Sequence, residues 1–346
     1  MTEAFDLFKL TRELIDIPSV TGQEFEIGNS LGELLSRLGY QVELQEVAED
    51  RANVIATTGA PARVVLSTHM DTVPPFIASG EDEESIYGRG ACDAKGIIAS
   101  QIAAAERLRA DGVSEVGLLF TVDEEVTSAG AKVANTHPLA SACQYLVNGE
   151  PTDNRLAVGT KGSLQVTITA TGQAAHSAYP EQGDSAIEKL LDVLADIRRI
   201  EWPADEVFGD TTCNIGVISG GTRANVIPEA AETTLQIRLA TGADIAKDLL
   251  ERAVAERAAL AYKSTHDPVR LLALDGFEPT IVRFTTDIPY LTNWGKALLI
   301  GPGSILDAHT ENERVKKSEL LRAVEIYTEI AHRLLAGDAR TADGTR

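Results

Sequence analysis

Four short runs of this chain are apolar almost throughout, at 63–67, 116–122, 145–147 and 297–300. Runs of that length, alternating with helices, predict buried strands of a parallel sheet covered on both faces. Residues 4–17 and 24–38 carry helical apolar spacing, with a break at Pro18-Ser-Val-Thr-Gly22 between them. Residues 41–47 alternate as a half-buried strand does, and 53–57 follow as another. An Ala-rich helix is predicted over 94–110, stopped by Asp111-Gly112.

The middle of the chain is patterned differently. Strict alternation predicts strands at 164–170, 213–218 and 232–238, with helices at about 184–199 and 243–262. That β-α-β-β-α order predicts a small α+β (ferredoxin-like) domain inserted into the sheet domain. The expected fold class is therefore α/β, a mostly parallel-stranded, helix-covered domain carrying an α+β insert. The expected boundaries are 1–160 plus 268–337 for the discontinuous sheet domain, 161–267 for the insert, and 338–346 as a frayed tail.

Composition narrows the function classes. The 346 residues include 44% hydrophobic ones, enough for a sizeable core. No apolar run approaches the roughly 20 residues that span a bilayer. A net charge of −21 argues against nucleic acid and anionic membranes as partners, and speaks first to solubility. The acidic start Met1-Thr-Glu-Ala-Phe-Asp lacks the basic region and apolar core of a signal peptide. Cys92, Cys143 and Cys213 make no disulfide framework. The expected location is the cytoplasm.

Candidate chemistry sits just past the apolar runs. His69 and Asp71 follow the first, Glu124 and Glu125 the second, Glu150 the third, and His309 comes after the fourth; Asp93 opens the Ala-rich helix. Ligand crevices of open α/β sheets lie outside the carboxyl ends of the strands, so residues far apart in the chain converge there. Two imidazoles and several carboxylates suit a pair of divalent cations with one position open to water. Asp71, two residues on, is placed to accept the second ring N–H of His69. Asp93 has both oxygens free to bridge two cations, Glu125 and Glu150 bind one each, and His309 completes the second. Glu124 is left to act as general base and then as acid toward the leaving nitrogen. Cation binding lowers the pKa of water from 15.7 to about 7 in favourable cases. Singly, each feature has a plainer reading; an Asp before an Ala-rich run, for example, is usually a helix N-cap. The order and the strand-end placement carry the argument.

The motifs His69-x-Asp71, Gly88-Arg-Gly90-x-x-Asp93-x-Lys95-Gly96, Glu124-Glu125, Gly149-Glu150-Pro and His309-Thr-x-Asn-Glu313 resemble those of a di-zinc deacylase and peptidase family. That family includes acetylornithine deacetylase, succinyl-diaminopimelate desuccinylase, aminoacylase and glutamate carboxypeptidase. The resemblance runs from about residue 8 to 335. It implies a zinc-peptidase-like catalytic domain with two Zn2+ ions, Co2+ being able to substitute. His69, Asp93 and Glu150 would hold one ion, Asp93, Glu125 and His309 the other, with Asp71 behind His69 and Glu124 as base. It also implies that the insert is a lid that forms a homodimer. Gly172-Gln-Ala-Ala-His176-Ser-Ala-Tyr-Pro180 is similar to the lid motif whose histidine reaches the partner's site and steadies the oxyanion. Asn225, in Gly220-Gly-Thr-Arg-Ala-Asn225-Val-Ile-Pro228, would contact the substrate or the oxyanion, and Arg238 would clamp a substrate carboxylate.

Within that family Gly301-Pro-Gly303 and Ala308-His309-Thr point toward acetylornithine deacetylases, and 276–290 lacks the Gly-Gly-Thr-Ser-Asp stretch of desuccinylases. The expected substrate is a small N-acyl amino acid, N-acetylornithine first. Desuccinylation, or cleavage of dipeptides or of carboxy-terminal residues, is the alternative. His137, His266 and His332 receive no role. A non-catalytic binder is disfavoured because every ligand position is intact. A nucleotide-dependent enzyme is disfavoured because neither a dinucleotide fingerprint nor a phosphate loop is present.

Overall fold

The computed structural model describes residues 6–338. The frayed tail expected at 338–346 lies outside them except for Asp338, as do the first five residues. In chain order the principal strands are β1 (Gln41–Ala48), β2 (Arg51–Thr57), β3 (Val64–His69), β4 (Val116–Thr121), β5 (Tyr145–Asn148), β6 (Gly162–Thr171), β7 (Thr212–Gly220), β8 (Ala230–Leu239), β9 (Ala259–His266) and β10 (Lys296–Leu299). The helices are α1 (Leu7–Ile15), α2 (Phe25–Arg37), α3 (Lys95–Ala110), α4 (Ala129–Ala134), α5 (Ala186–Ile197), α6 (Ala243–Val254) and α7 (Lys317–Leu335). The chain divides into two compact units. One comprises the residues up to Val158, Leu271–Thr280 and those from Thr286 on; the other comprises Gly159–Arg270 and Ile281–Thr285.

The sheet of the first unit contains the run β1-β2-β4-β3-β5-β10, and the strand Leu156–Thr160 joins β10 antiparallel. Its centre is parallel: β3 pairs with β4 and β5, and β5 with β10. β2 joins β4 antiparallel, and β1 joins β2 antiparallel, so the sheet is mixed at that side. β3 and β4 are buried at every position, as the unbroken apolar runs require. Alternate residues serve opposite faces. Val64, Leu66, Leu118 and Phe120 pack with Ile97, Ile98 and Ile102 of α3 and with Leu320 and Ile330 of α7. Val65, Leu119 and Leu146 pack with Trp294 on the other side. Each fully buried Leu, Ile or Phe contributes about 1.5–3 kcal/mol. A slip of one residue would exchange the two faces and forfeit several such terms. The register is therefore fixed, with His69 opposite Thr121, and Asn148 opposite both Ser67 and Leu299. The carboxyl ends of four strands thus finish side by side.

In the second unit the sheet runs β7-β8-β6-β9, antiparallel throughout. Leu164, Val166, Ile168, Leu235 and Ile237 form its inner face against Leu190 and Val193 of α5 and Ala246 and Leu250 of α6. The order β-α-β-β-α-β is ferredoxin-like. One element differs from expectation. The helix expected to run to about 262 stops at Val254, with Ala255 at φ +49°, and 259–266 form β9. Ala-Glu-Arg-Ala-Ala suits a helix locally, yet Leu260 and Tyr262 alternate inward against the unit's core. Ladder pairing with β6 outweighs a weak helical preference.

Candidate active site

Each strand end delivers its residue at a position the register dictates. His69 is the last residue of β3, and Asp71 lies just beyond it. β4 ends at Thr121, ahead of Asp123, Glu124 and Glu125. β5 ends at Asn148, ahead of Glu150, and β10 ends before Gly301-Pro-Gly303 and the loop bearing His309. Gly303 brings that loop against the turn before α3. It sits at φ +84°, and a side chain there would begin 2.4 Å from the Cβ of Cys92.

The first unit brings His69, Asp93, Glu125 and His309 into direct contact. Asp93 Oδ1 lies 2.9 Å from His69 Nε2, and Asp93 Oδ2 lies 3.3 Å from His309 Nε2. His309 Nε2 is also 3.0 Å from Glu125 Oε1. Ligand atoms of His69, Asp93 and Glu125 all fall within 4.8 Å of one another. Asp93 is no helix cap. The N-cap of α3 is Ala94, and both oxygens of Asp93 face imidazoles. His309 and Asp123 stand at φ +64° and +69°, a conformation non-glycine residues take rarely and at a cost. Side-chain exposure differs sharply, 1% for His69 against 47% for His309.

Asp71 does more than the sequence suggests. His69 Nδ1 lies 3.0 Å from the backbone carbonyl of Asp71 and 3.5 Å from its carboxylate. The ring N–H thus donates to main chain. The carboxylate instead accepts the N–H groups of Glu124 at 3.0 Å and Glu125 at 3.2 Å and the Thr21 hydroxyl at 2.8 Å. It therefore positions the Glu124-Glu125 turn as well as the strand end. Arg51 supports the same turn, reaching Glu24 at 2.6 Å and Asp123 at 2.7 Å.

The electrostatics call for positive charge. With Nδ1–H committed to a carbonyl, a neutral His69 would turn its Nε2 lone pair toward the Asp93 carboxylate. A proton or a cation must lie between them. Burial opposes charge on His69, but the nearby carboxylates of Asp71 and Asp93 outweigh it and hold its pKa well above the ordinary range. Bonds to Asp93 and Glu125 push His309 up to about 10. Asp93 is depressed by the two imidazoles despite its burial. Glu150 is buried, its Oε1 has no hydrogen-bond partner, and burial raises its pKa well above normal. An orphaned, buried carboxylate oxygen beside acidic neighbours fits the role of a cation ligand.

Glu124 is half-buried. Burial, then the negative charge of Glu150, raises its pKa well above the usual carboxylate range. A further neighbour, unmarked by the sequence reading, is Asp287. It is 2% exposed, accepts from the Thr121 hydroxyl at 2.7 Å, and leaves Oδ1 unpartnered. Burial pushes it up to about 6. Its charge is one of those that raise Glu124. Removing it in Asp287→Asn should let Glu124 ionise more readily. The acid limb of the kcat/KM profile should then move to lower pH; a shift to higher pH would remove Asp287 from that role. Thr286-Asp287-Ile-Pro in a loop gave no periodic signal, and only the fold brings Asp287 beside β4.

His176, Asn225 and Arg238 belong to the second unit. His176 is exposed, and its Nδ1 accepts the Ala178 N–H at 3.1 Å, so a neutral ring carries its proton on Nε2. The Asn225 carbonyl accepts from the Ser177 N–H at 3.1 Å, which ties the two loops together. Arg238 is half-buried on the helix-free face of β8, and burial lowers its pKa.

Comparison with known proteins gives the family and the fold. A family model described as a peptidase dimerisation domain matches residues 158–265. The chain is 38% identical over 338 residues to a peptidase M20 domain-containing protein of Schizosaccharomyces pombe, covering 93% of this chain and 83% of that one. It is 38% identical over 364 residues to a protein of Aspergillus terreus named probable carboxypeptidase, covering 92% and 84%. Among solved structures, a tripeptidase from Staphylococcus aureus superposes with a TM-score of 0.79 at 22% identity, over 94% of this chain and 98% of that one. An M20 family metallo-carboxypeptidase from Sulfolobus solfataricus gives 0.73 at 18% identity, over 94% and 98%. At those identities the likeness to the two structures is one of fold.

Proposed function

This chain belongs to the M20 peptidase family, and from that premise we propose that it is a metal-dependent carboxypeptidase of short peptides. Membership makes it a hydrolase of the metallopeptidase class. The observation that carries the proposal is the Asp93 carboxylate, held with one oxygen against each imidazole, 2.9 Å and 3.3 Å away. The residues fit a pair of divalent cations, zinc first: His69, Asp93 and Glu150 on one side, Asp93, Glu125 and His309 on the other. Such cations, when bound, would polarise the scissile carbonyl and acidify water near neutral pH.

The side chains account for the remaining steps. Glu124 takes a proton from the attacking water as the new C–O bond forms, and passes it to the nitrogen as the C–N bond breaks. Its raised proton affinity suits both halves of that task. Asp71 holds Glu124 and Glu125 through their N–H groups. In the second unit, the Nε2–H of His176 is the donor we assign to the oxyanion. Arg238 is assigned to the substrate carboxylate and Asn225 to the substrate backbone.

Peptides are favoured over N-acetylornithine on two grounds. The A. terreus relative is named a carboxypeptidase. The loops bearing the cation ligands also expose apolar side chains, Val126 (69%) directly after Glu125 and Leu306 (83%) shortly before His309, a poor welcome for a cationic side chain. Deacetylation, the first expectation from the sequence, becomes the second reading. The zinc-loaded protein is expected to release free amino acids from the carboxy-terminus of di- and tripeptides with a higher kcat/KM than it releases acetate from N-acetylornithine. The opposite ranking on the same panel would assign the site to deacylation.

We also propose a homodimer through the second unit. β7 ends its sheet and is exposed along nearly its whole length, with Val217 at 60% and Ile218 at 55%. An apolar free edge of that kind invites a second strand. The proposal places the enzyme in the cytoplasm, where its free thiols at Cys92, Cys143 and Cys213 stay reduced.

A further inference from the structure

Two residues of the quoted motifs, Arg89 and Glu313, have no part in the chemistry above, yet they are 2% and 1% exposed. Glu313 Oε1 accepts three main-chain N–H groups of the turn that presents Asp93: Gly90 at 2.9 Å, Asp93 itself at 3.2 Å and Cys92 at 3.3 Å. Its other oxygen is 2.5 Å from Arg89 Nη1. The same Nη1 donates to the Thr310 carbonyl at 3.2 Å, one residue past His309. Arg89 Nε reaches the Pro75 carbonyl at 3.3 Å. The main chain runs the same way. Gly88 N–H donates to the Glu313 carbonyl at 3.0 Å, and residues Arg314–Lys316 pair antiparallel with Ser85–Tyr87.

A concave run of N–H groups is a natural seat for a carboxylate. Stability alone does not explain the pair. Well-packed apolar residues commonly replace a buried ion pair at no loss, because desolvation offsets the attraction. A forked guanidinium and a two-oxygen acceptor do add fixed direction. That direction is spent on two neighbours of cation ligands. Asp93 is held through its own N–H. His309, the most exposed ligand and one in a left-handed conformation, is held through the carbonyl of the next residue, Thr310.

We propose that the Arg89–Glu313 pair is a positioning device, joining the Asp93 turn to the His309 loop before any cation arrives and thereby setting the cation affinity of the site. The inference rests on the metal reading of the preceding section. Glu313 acts on Asp93, and so on both cation positions. The Arg89–Thr310 bond acts on His309, and so on the position shared by Asp93, Glu125 and His309.

The test is a titration of Zn2+, and of Co2+ followed by its visible spectrum, into the chelator-stripped full-length chain. Wild type, Arg89→Met, Glu313→Gln and the double variant are compared. Arg89→Met should weaken one of two binding steps by about 10–100-fold, the range for partners that orient ligands. It should also alter the Co2+ spectrum and lower kcat with KM within about threefold. Glu313→Gln should weaken both steps. The double variant removes the unpaired buried charge that each single variant leaves. It should regain melting temperature without regaining cation affinity. Unchanged affinities and spectrum with a lowered melting temperature would reduce the pair to a structural role, and so would a double variant that regains both. Hydrogen exchange of the metal-free wild type decides the matter even if the single variants do not fold. The amides of Gly90, Cys92 and Asp93 should be protected without metal, and free exchange there overturns the proposal. A wild type that takes up no zinc would instead sink the metal reading itself.

Discussion

Glu124→Gln is expected to bind cations as the wild type does and to lose about 10²–10⁴ in kcat, the range a positioned acid–base group supplies. The amide keeps the shape of the side chain but cannot accept the water's proton. Asp93 and Glu125 are hydrogen-bonded to the imidazoles, and Glu124 forms no such bond with either. Its N–H, the group Asp71 holds, is retained in the variant. The measurement is kcat beside a zinc titration. A variant with normal uptake and near-normal turnover would take the base role from Glu124. One with lost uptake would make Glu124 a ligand and leave the base unassigned.

Asp93→Ala should do the opposite, abolishing turnover by emptying the site. Both Asp93 oxygens are engaged, one by each imidazole, so both cation positions lose a carboxylate. The expected loss in zinc affinity exceeds about 100-fold at each, beyond the range for partners that merely orient ligands. The fold should survive, because the turn around Asp93 is held by its main-chain N–H groups on Glu313, which the substitution leaves in place. Turnover persisting after Asp93→Ala and exhaustive chelation would remove metal from the mechanism.

Much of the candidate site was legible because strand ends are legible. An unbroken apolar run such as 116–122 fixes both a buried strand and where it stops, and acidic residues directly after it have few places to go. The spacing of His69 and Asp71 predicts that the carboxylate takes the ring N–H, whereas the main-chain carbonyl of Asp71 takes it. Its carboxylate serves the Glu124–Glu125 turn, a partner that depends on β3 and β4 being neighbours. Glu313 stood inside a quoted motif without a role, because its partners lie more than two hundred residues away on the turn before α3. Asp287 carried no pattern at all. Local propensity favours helix up to 262, but pairing with β6 makes 259–266 a strand.

The order of apolar runs and the residue types placed after them were settled by sequence alone: an α/β fold with an inserted α+β unit, and a set of imidazoles and carboxylates suited to cations. Which oxygen faces which ring, which carboxylate is left without a partner, and which buried pair ties the Asp93 turn to the His309 loop were settled by tertiary structure. The physical reason is range. Burial periodicity and turn chemistry are written into adjacent residues, whereas hydrogen bonds and electrostatic neighbours belong to whatever segments the packed sheet brings together.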